Sequence, residues 1–118
     1  MPWTVSFHDA FDAEFEDLPE VVQEAIAATS LLLQAYGPAL GRPHADTLAG
    51  SRHANMKELR LRVDDGAWRV AFAFDPKRQA ILLIAGDKGG IAQKLFYKGL
   101  IARADRRFDQ HLAGLEKR

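Results

Sequence analysis

The sequence predicts one α+β domain over residues 1–118, in the order β-α-α-β-β-β-α, with a small antiparallel-rich sheet packed on helices. Three observations predict it. The chain has 118 residues, 47% of them apolar and 27% charged, which suits one buried core and is too short for two. Apolar residues recur at helical spacing through residues 18–36. Further along, three runs alternate or stay apolar as strands do, with turn residues between them.

Taken in order, Trp3-Thr4-Val5-Ser6-Phe7 alternates and is rich in strand formers, so it is the first strand. Phe7, Phe11, Phe15 and Leu18 then recur at helical spacing with acids between them. In the second helix Leu18, Val21, Val22, Ala25, Ile26, Thr29, Leu32, Leu33 and Tyr36 form one apolar stripe. Pro19 suits its first turn and Gly37-Pro38 ends it. Residues 37–52, with three Gly and two Pro, form an irregular connection. Met56 to Val63 alternates strictly, and Asp64-Asp65-Gly66 supplies a hairpin turn. Trp68, Val70, Phe72 and Phe74 alternate with Arg69, Ala71 and Ala73. After the turn at residues 75–78, Ala80 to Ala85 is continuously apolar, as a strand covered on both faces must be. Gly86-Asp87-Lys88-Gly89-Gly90 breaks it, and a last helix covers about 92–114.

Composition excludes several chemistries. The chain has no cysteine, so disulfide frameworks, zinc–thiolate sites, iron–sulfur sites and cysteine nucleophiles are out. No apolar run reaches the roughly 20 residues of a membrane helix. The opening Met1-Pro2-Trp3-Thr4 shows no secretory signal, so the expected compartment is the cytoplasm. A net charge of zero conceals a segregation. Residues 1–41 hold seven acids and no Lys or Arg, while residues 42–118 hold all 16 basic residues against nine acids. If the fold keeps the halves apart, the basic part can attract a polyanion; if it interleaves them, the charges pair across the surface.

The hairpin sharpens this. With Asp65-Gly66 as the loop, Arg62 faces Arg69; with Asp64-Asp65, Arg60 faces Arg69. In both registers Arg60, Arg62 and Arg69 share one face and the apolar residues share the other. The apolar face must pack on helices, so the arginine face is expected to point outward. Like charges opposed on a sheet are destabilising unless an anion sits between them. Guanidinium is suited to bidentate phosphate contact, and Arg52 and Lys57 precede the cluster. The competing reading is a solvated strand face with Glu58 and other acids as partners.

These residues carry a resemblance. Leu48 to Arg60, with its Lys57-Glu58-Leu59-Arg60, then Gly66-Ala67-Trp68-Arg69-Val70-Ala71-Phe72, then the apolar strand and Gly86-Asp87-Lys88, resemble the RelE/ParE toxin superfamily, most closely its HigB-like, phage-derived branch. The resemblance spans nearly the whole chain and implies a RelE-like fold. It implies the toxin of a bacterial type II toxin–antitoxin pair, cutting mRNA on the ribosome without metal or other cofactor. It implies Arg69 and Lys88 on the scissile phosphate, with Lys57, Arg60 and Arg62 on the preceding strand and Tyr97 stacked on a base. Arg52 and Lys94 complete the expected phosphate-binding set.

RNA carries its own nucleophile, the 2′-hydroxyl, so the protein must orient it, neutralise developing charge and move protons. His53 is a candidate proton carrier or merely a loop histidine, and Tyr97 is either catalytic or core. His44 and Asp46 are a weak metal pair. The implied partners are the ribosome with its mRNA and a helix-turn-helix, HigA-like antitoxin, through which alone the toxin would meet DNA; no membrane is expected. One relative class with this fold poisons DNA gyrase, so a second hypothesis is a non-catalytic binding protein, either a gyrase poison or a degenerate toxin that only engages its antitoxin.

Overall fold

The computed structural model describes residues 2–64 and 66–117. The elements are β1 (Thr4–Phe7), α1 (Asp9–Phe15), α2 (Glu20–Tyr36), a 3-10 turn at Gly37–Ala39, β2 (Ala45–Thr47), β3 (Met56–Val63), β4 (Gly66–Phe74), β5 (Gln79–Asp87) and α3 (Gln93–Glu116). The expected order is present, with one addition. The stretch expected to be irregular contains β2, which pairs antiparallel with Leu59 to Lys57 on the edge of β3. A three-residue strand with polar Asp46 and Thr47 leaves no periodic signal.

The five strands lie in the order β1-β5-β4-β3-β2. β1 runs parallel to β5, and the other pairings are antiparallel. The hairpin takes the second of the two registers, with Val63 opposite Gly66 and Arg60 opposite Arg69. Asp64 adopts a φ of 52°, which a short polar side chain tolerates. Asp65, the other residue of this turn, lies outside the described residues.

The alternation of β3 and β4 divides the interior in two. On one face Leu59, Leu61, Val70, Phe72 and Leu82 pack with Phe11 of α1 and Val22, Ile26 and Leu33 of α2. On the other, Met56, Ala71, Ala73, Ile81 and Leu83 pack with Phe96, Leu100, Ala104 and Phe108 of α3. The register of β5 against β4 slips between Ala71 and Phe72, leaving Leu83 as the extra residue. Leu83 and Ile84 then both join the α3 core, which accounts for an apolar run without alternation. Each fully buried Phe or Leu contributes roughly 1.5–3 kcal/mol.

α2 stops where the sequence says it must. Gly37 has a φ of 54°, and a Cβ there would overlap the Trp3 indole. The Trp3 amide in turn donates to the Gln34 carbonyl at 2.9 Å, tying β1 to the end of α2.

Candidate active site

The second core corrects one expectation. The face bearing Arg60, Arg62 and Arg69 is the face that α3 covers, so it is not bare. Arg69 is only 6% exposed. Small Ala71 and Ala73 on that face let α3 approach, and the start of the helix brings Tyr97 over the arginines. Of the three, only Arg62, towards the hairpin tip, is exposed.

Under α3 the arginines meet a carboxylate. Glu58 on β3 is 4% exposed. It accepts from Arg60 Nη1 at 2.7 Å and from the Tyr97 hydroxyl at 2.8 Å. Arg69 Nε lies 3.8 Å from the same carboxylate and donates to the Tyr97 oxygen at 3.2 Å. Arg69 Nη1 also donates to the Trp68 carbonyl at 3.0 Å. An isolated buried carboxylate would cost several kcal/mol, so this one is held by its cationic and phenolic partners. Burial, then the hydrogen bond to Glu58, raise the Tyr97 pKa above 10.0, against a smaller opposing effect of Arg69. The phenol is therefore neutral at physiological pH, a donor to Glu58 and an acceptor from Arg69. Lys88 closes the group, with Nζ 5.9 Å from the centre of the Tyr97 ring. The lysine is placed by its own backbone, whose amide donates to the Ala67 carbonyl at 2.8 Å.

Two cavities open on this group. One, of about 380 Å³, is lined by Glu58, Arg60, Lys88, Gln93 and Tyr97, with Arg42 and Asp46 among the residues opposite. The other, of about 490 Å³, is lined by Arg42, His44, Arg60, Arg62 and Arg69. Arg42 and Arg60 border both.

The structure thus brings Arg60, Arg62, Arg69, Lys88 and Tyr97 together and leaves the other expected residues outside. Lys57 pairs with Phe72, whose ring is in the α1–α2 core, so its side chain leaves the sheet on the face opposite Arg60. Arg52 and His53 are engaged elsewhere, because the loop that carries them turns towards the middle of α3. Arg52 Nη2 and His53 Nε2 both contact Asp109, at 2.6 and 2.8 Å. Those two hydrogen bonds lower the Asp109 pKa, and the bond to Asp109 raises that of Arg52. The Ser51 hydroxyl and Arg52 amide donate to Asp105, a second α3 carboxylate and 5% exposed. Lys94 is exposed on the first turn of α3 and lines neither cavity. Asp46, weighed as half of a metal pair with His44, is instead bonded to Arg42 at 2.8 Å.

Sequence reasoning missed Glu58 as a site member, although its position two residues before Arg60 already put it on the arginine face. It missed Arg42 as well, since nothing in the sequence indicated that β2 would bring it alongside β3. The charge segregation is partly undone by folding: Glu14 of the acidic half pairs with Arg107 at 2.6 Å, a bond that lowers the Glu14 pKa.

Comparisons with known proteins agree with this architecture. Residues 13–109 match the family model of the phage-derived Gp49-like proteins. The chain is 43% identical over 115 residues to HigB2 of Mycobacterium tuberculosis, named as a toxin, covering 97% of this chain but 56% of that protein. It is 49% identical over 82 residues to HigB3 of the same organism, also named as a toxin, covering 70% of this chain and 69% of the relative. The chain thus spans little more than half the length of the first of these relatives. Among solved structures, a double arginine mutant of E. coli toxin RelE in the free state superposes with a TM-score of 0.63 at 15% identity, covering 91% of this chain and 98% of that one. A chain of the RelE–RelB complex from Pyrococcus horikoshii gives 0.56 at 18% identity, covering 77% of this chain and 100% of that one. At such identities the likeness is one of fold.

Proposed function

The chain belongs to the phage-derived Gp49-like protein family, and from that premise we propose that it is the toxin of a type II toxin–antitoxin pair that cuts mRNA on the ribosome. The observation that carries this reading is the Glu58–Tyr97–Arg69 group, a hydrogen-bonded acid–base chain flanked by further guanidinium and ammonium groups.

The chemistry needs no group beyond the chain and its substrate. The 2′-oxygen of the RNA attacks the adjacent phosphorus, and the bond from phosphorus to the 5′-oxygen breaks. Tyr97 takes the 2′-hydroxyl proton as its own passes to Glu58, so the carboxylate is the final acceptor. A neutral phenol bonded to a carboxylate is suited to such a relay. Arg69 and Arg60 stabilise the charge that gathers on the non-bridging oxygens. Lys88 delivers a proton to the departing 5′-oxygen. The products are a 2′,3′-cyclic phosphate and a free 5′-hydroxyl.

The proposed partners are the ribosome with its message and a helix-turn-helix antitoxin that holds the toxin inactive; the superposition on a chain of a RelE–RelB complex supports the antitoxin. The proposed place of action is the cytoplasm; no helix among the described residues is long and apolar enough to cross a membrane.

Mapping RNA 5′ ends after induced expression tests the reading. Cuts within translated messages, with 5′-hydroxyl ends, are expected. A second reading is favoured by Glu58 itself, which ties up Arg60 and approaches Arg69 as it would in an inert scaffold. Under that reading expression yields gyrase-linked DNA breaks or no growth effect, and no new RNA ends.

A further inference from the structure

The two cavities differ in kind. The one holding Glu58, Tyr97 and Lys88 contains groups that exchange protons, and its lining includes the carboxylates of Glu58 and Asp46. The neighbouring cavity has four guanidiniums and a histidine, and no carboxylate among its lining residues. Its cations come from three segments. Arg42 and His44 lie on the approach to β2, Arg60 and Arg62 on β3, and Arg69 on β4. The backbone fixes this convergence, for the Arg60 amide donates to the His44 carbonyl at 2.8 Å and Arg60 lies opposite Arg69. The pairings of the four leave charge in excess. Glu58 is shared by Arg60 and Arg69 and Asp46 pairs with Arg42, both carboxylates from outside this cavity, while Arg62 makes no ion pair among the described residues. A concave surface of one sign concentrates counter-ions.

We propose that this second cavity is a phosphate subsite, which holds the phosphodiester flanking the one that is cut. Arg42 and Arg62 are its binding residues, His44 lies at its edge, and Arg60 stands between the two phosphates. This rests on the RNA-cutting reading and adds to it the path of the strand, across the Arg60 ridge from one cavity to the next. Its chemistry follows from the lining: guanidiniums recognise phosphate oxygens whatever the base, so the subsite sets affinity and register rather than sequence. Asp46 is a built-in competitor, because it occupies Arg42 with bonds of 2.8 and 2.9 Å.

Fluorescence anisotropy of a labelled hexaribonucleotide with the purified full chain, titrated at several salt concentrations, tests the subsite. The double variant Arg42→Ala/Arg62→Ala is expected to bind about tenfold more weakly, with a salt slope smaller by about 0.7 for each phosphate no longer neutralised. Asp46→Asn should bind more tightly than the wild type, a gain that damage to the fold does not produce. A double variant with wild-type affinity and slope overturns the proposal, and so does a wild type that shows no binding at low salt or an Asp46→Asn chain with no gain. The outcomes separate this subsite from the proposed activity. A chain that follows the binding pattern but cuts no message loses the activity and keeps the subsite. A chain that cuts messages while the double variant binds like wild type keeps the activity and loses the subsite.

Discussion

Two regions along α3 are built from the same residue types and differ in charge balance. Towards the end of the helix, Asp105 and Asp109 meet Ser51, Arg52 and His53, and His111 meets the buried Asp75. Asp75 also accepts from the Lys77 and Gln79 amides, so every group there has its partner within the protein. At the start of the helix, Glu58 faces Arg60, Arg69 and Tyr97, with Lys88, Arg62, Arg42 and His44 around them. One region pairs its charged groups with one another and fastens a loop and a turn to the helix, although His53 and Asp75 line a cavity of about 320 Å³ and His111 another of about 570 Å³. The other has more cations than anions and opens on two cavities. Neither residue type nor an adjoining cavity distinguishes the two regions; the excess of cations over carboxylates does.

Substitution at both ends of the helix breaks or sharpens this contrast. The largest expected effect is on activity. Glu58→Gln is expected to reduce message cleavage by about 10²–10⁴, the usual contribution of a positioned acid or base, whereas Arg52→Ala and His53→Ala stay within a few-fold of wild type. Reporter-message cleavage at matched soluble protein reads both. Equal losses at the two ends would erase the distinction.

Stability should show the reverse order. Asp105→Ala strands the Ser51 hydroxyl and Arg52 amide and is expected to cost roughly 1–3 kcal/mol, measured as a lower urea midpoint. Removing an exposed cation at the open end, as in Arg62→Ala, should shift stability by less than about 0.5 kcal/mol.

Two smaller effects come from titration. In a Tyr36→Phe background, the phenolate absorbance of Tyr97 should titrate above pH 10.0, and Glu58→Gln should bring that midpoint down, leaving the part due to burial. Because its folded pKa is raised, the Tyr97 contribution to stability is complete below pH 10.0 and is lost as pH rises through the folded value. His8 has the opposite sign. Burial, then Arg107, lower its pKa below 6.5, so its contribution is present above pH 6.5 and fades as pH falls through the folded value. Urea midpoints between pH 7.5 and 5.5 should therefore fall less for His8→Asn than for wild type.

Much of the architecture was legible because strict alternation carries its own geometry. Residues 56–63 and 68–74 fixed which side chains share a face, and the turn limited the register to two choices, of which Arg60 opposite Arg69 is the one found. The same alternation already separated Lys57 from Arg60, and a family likeness outweighed it. Less legible was the cover on the arginine face. Ala71 and Ala73 were the signal, since small residues among arginines leave room for a helix. The structure turns Arg52 and His53 towards Asp105 and Asp109, four apart on α3, because nearness in sequence to the hairpin does not fix where a loop turns.

The relay through the Tyr97 hydroxyl is tested most directly by single-turnover cleavage on ribosomes programmed with a short message, comparing wild type with Tyr97→Phe. Removing one oxygen leaves the ring packed on Phe96 and takes away the acceptor of Arg69 and the donor to Glu58. A rate lower by about 10² or more, with circular dichroism and urea midpoint close to wild type, is the predicted result. A folded Tyr97→Phe protein that cuts at the wild-type rate would contradict it.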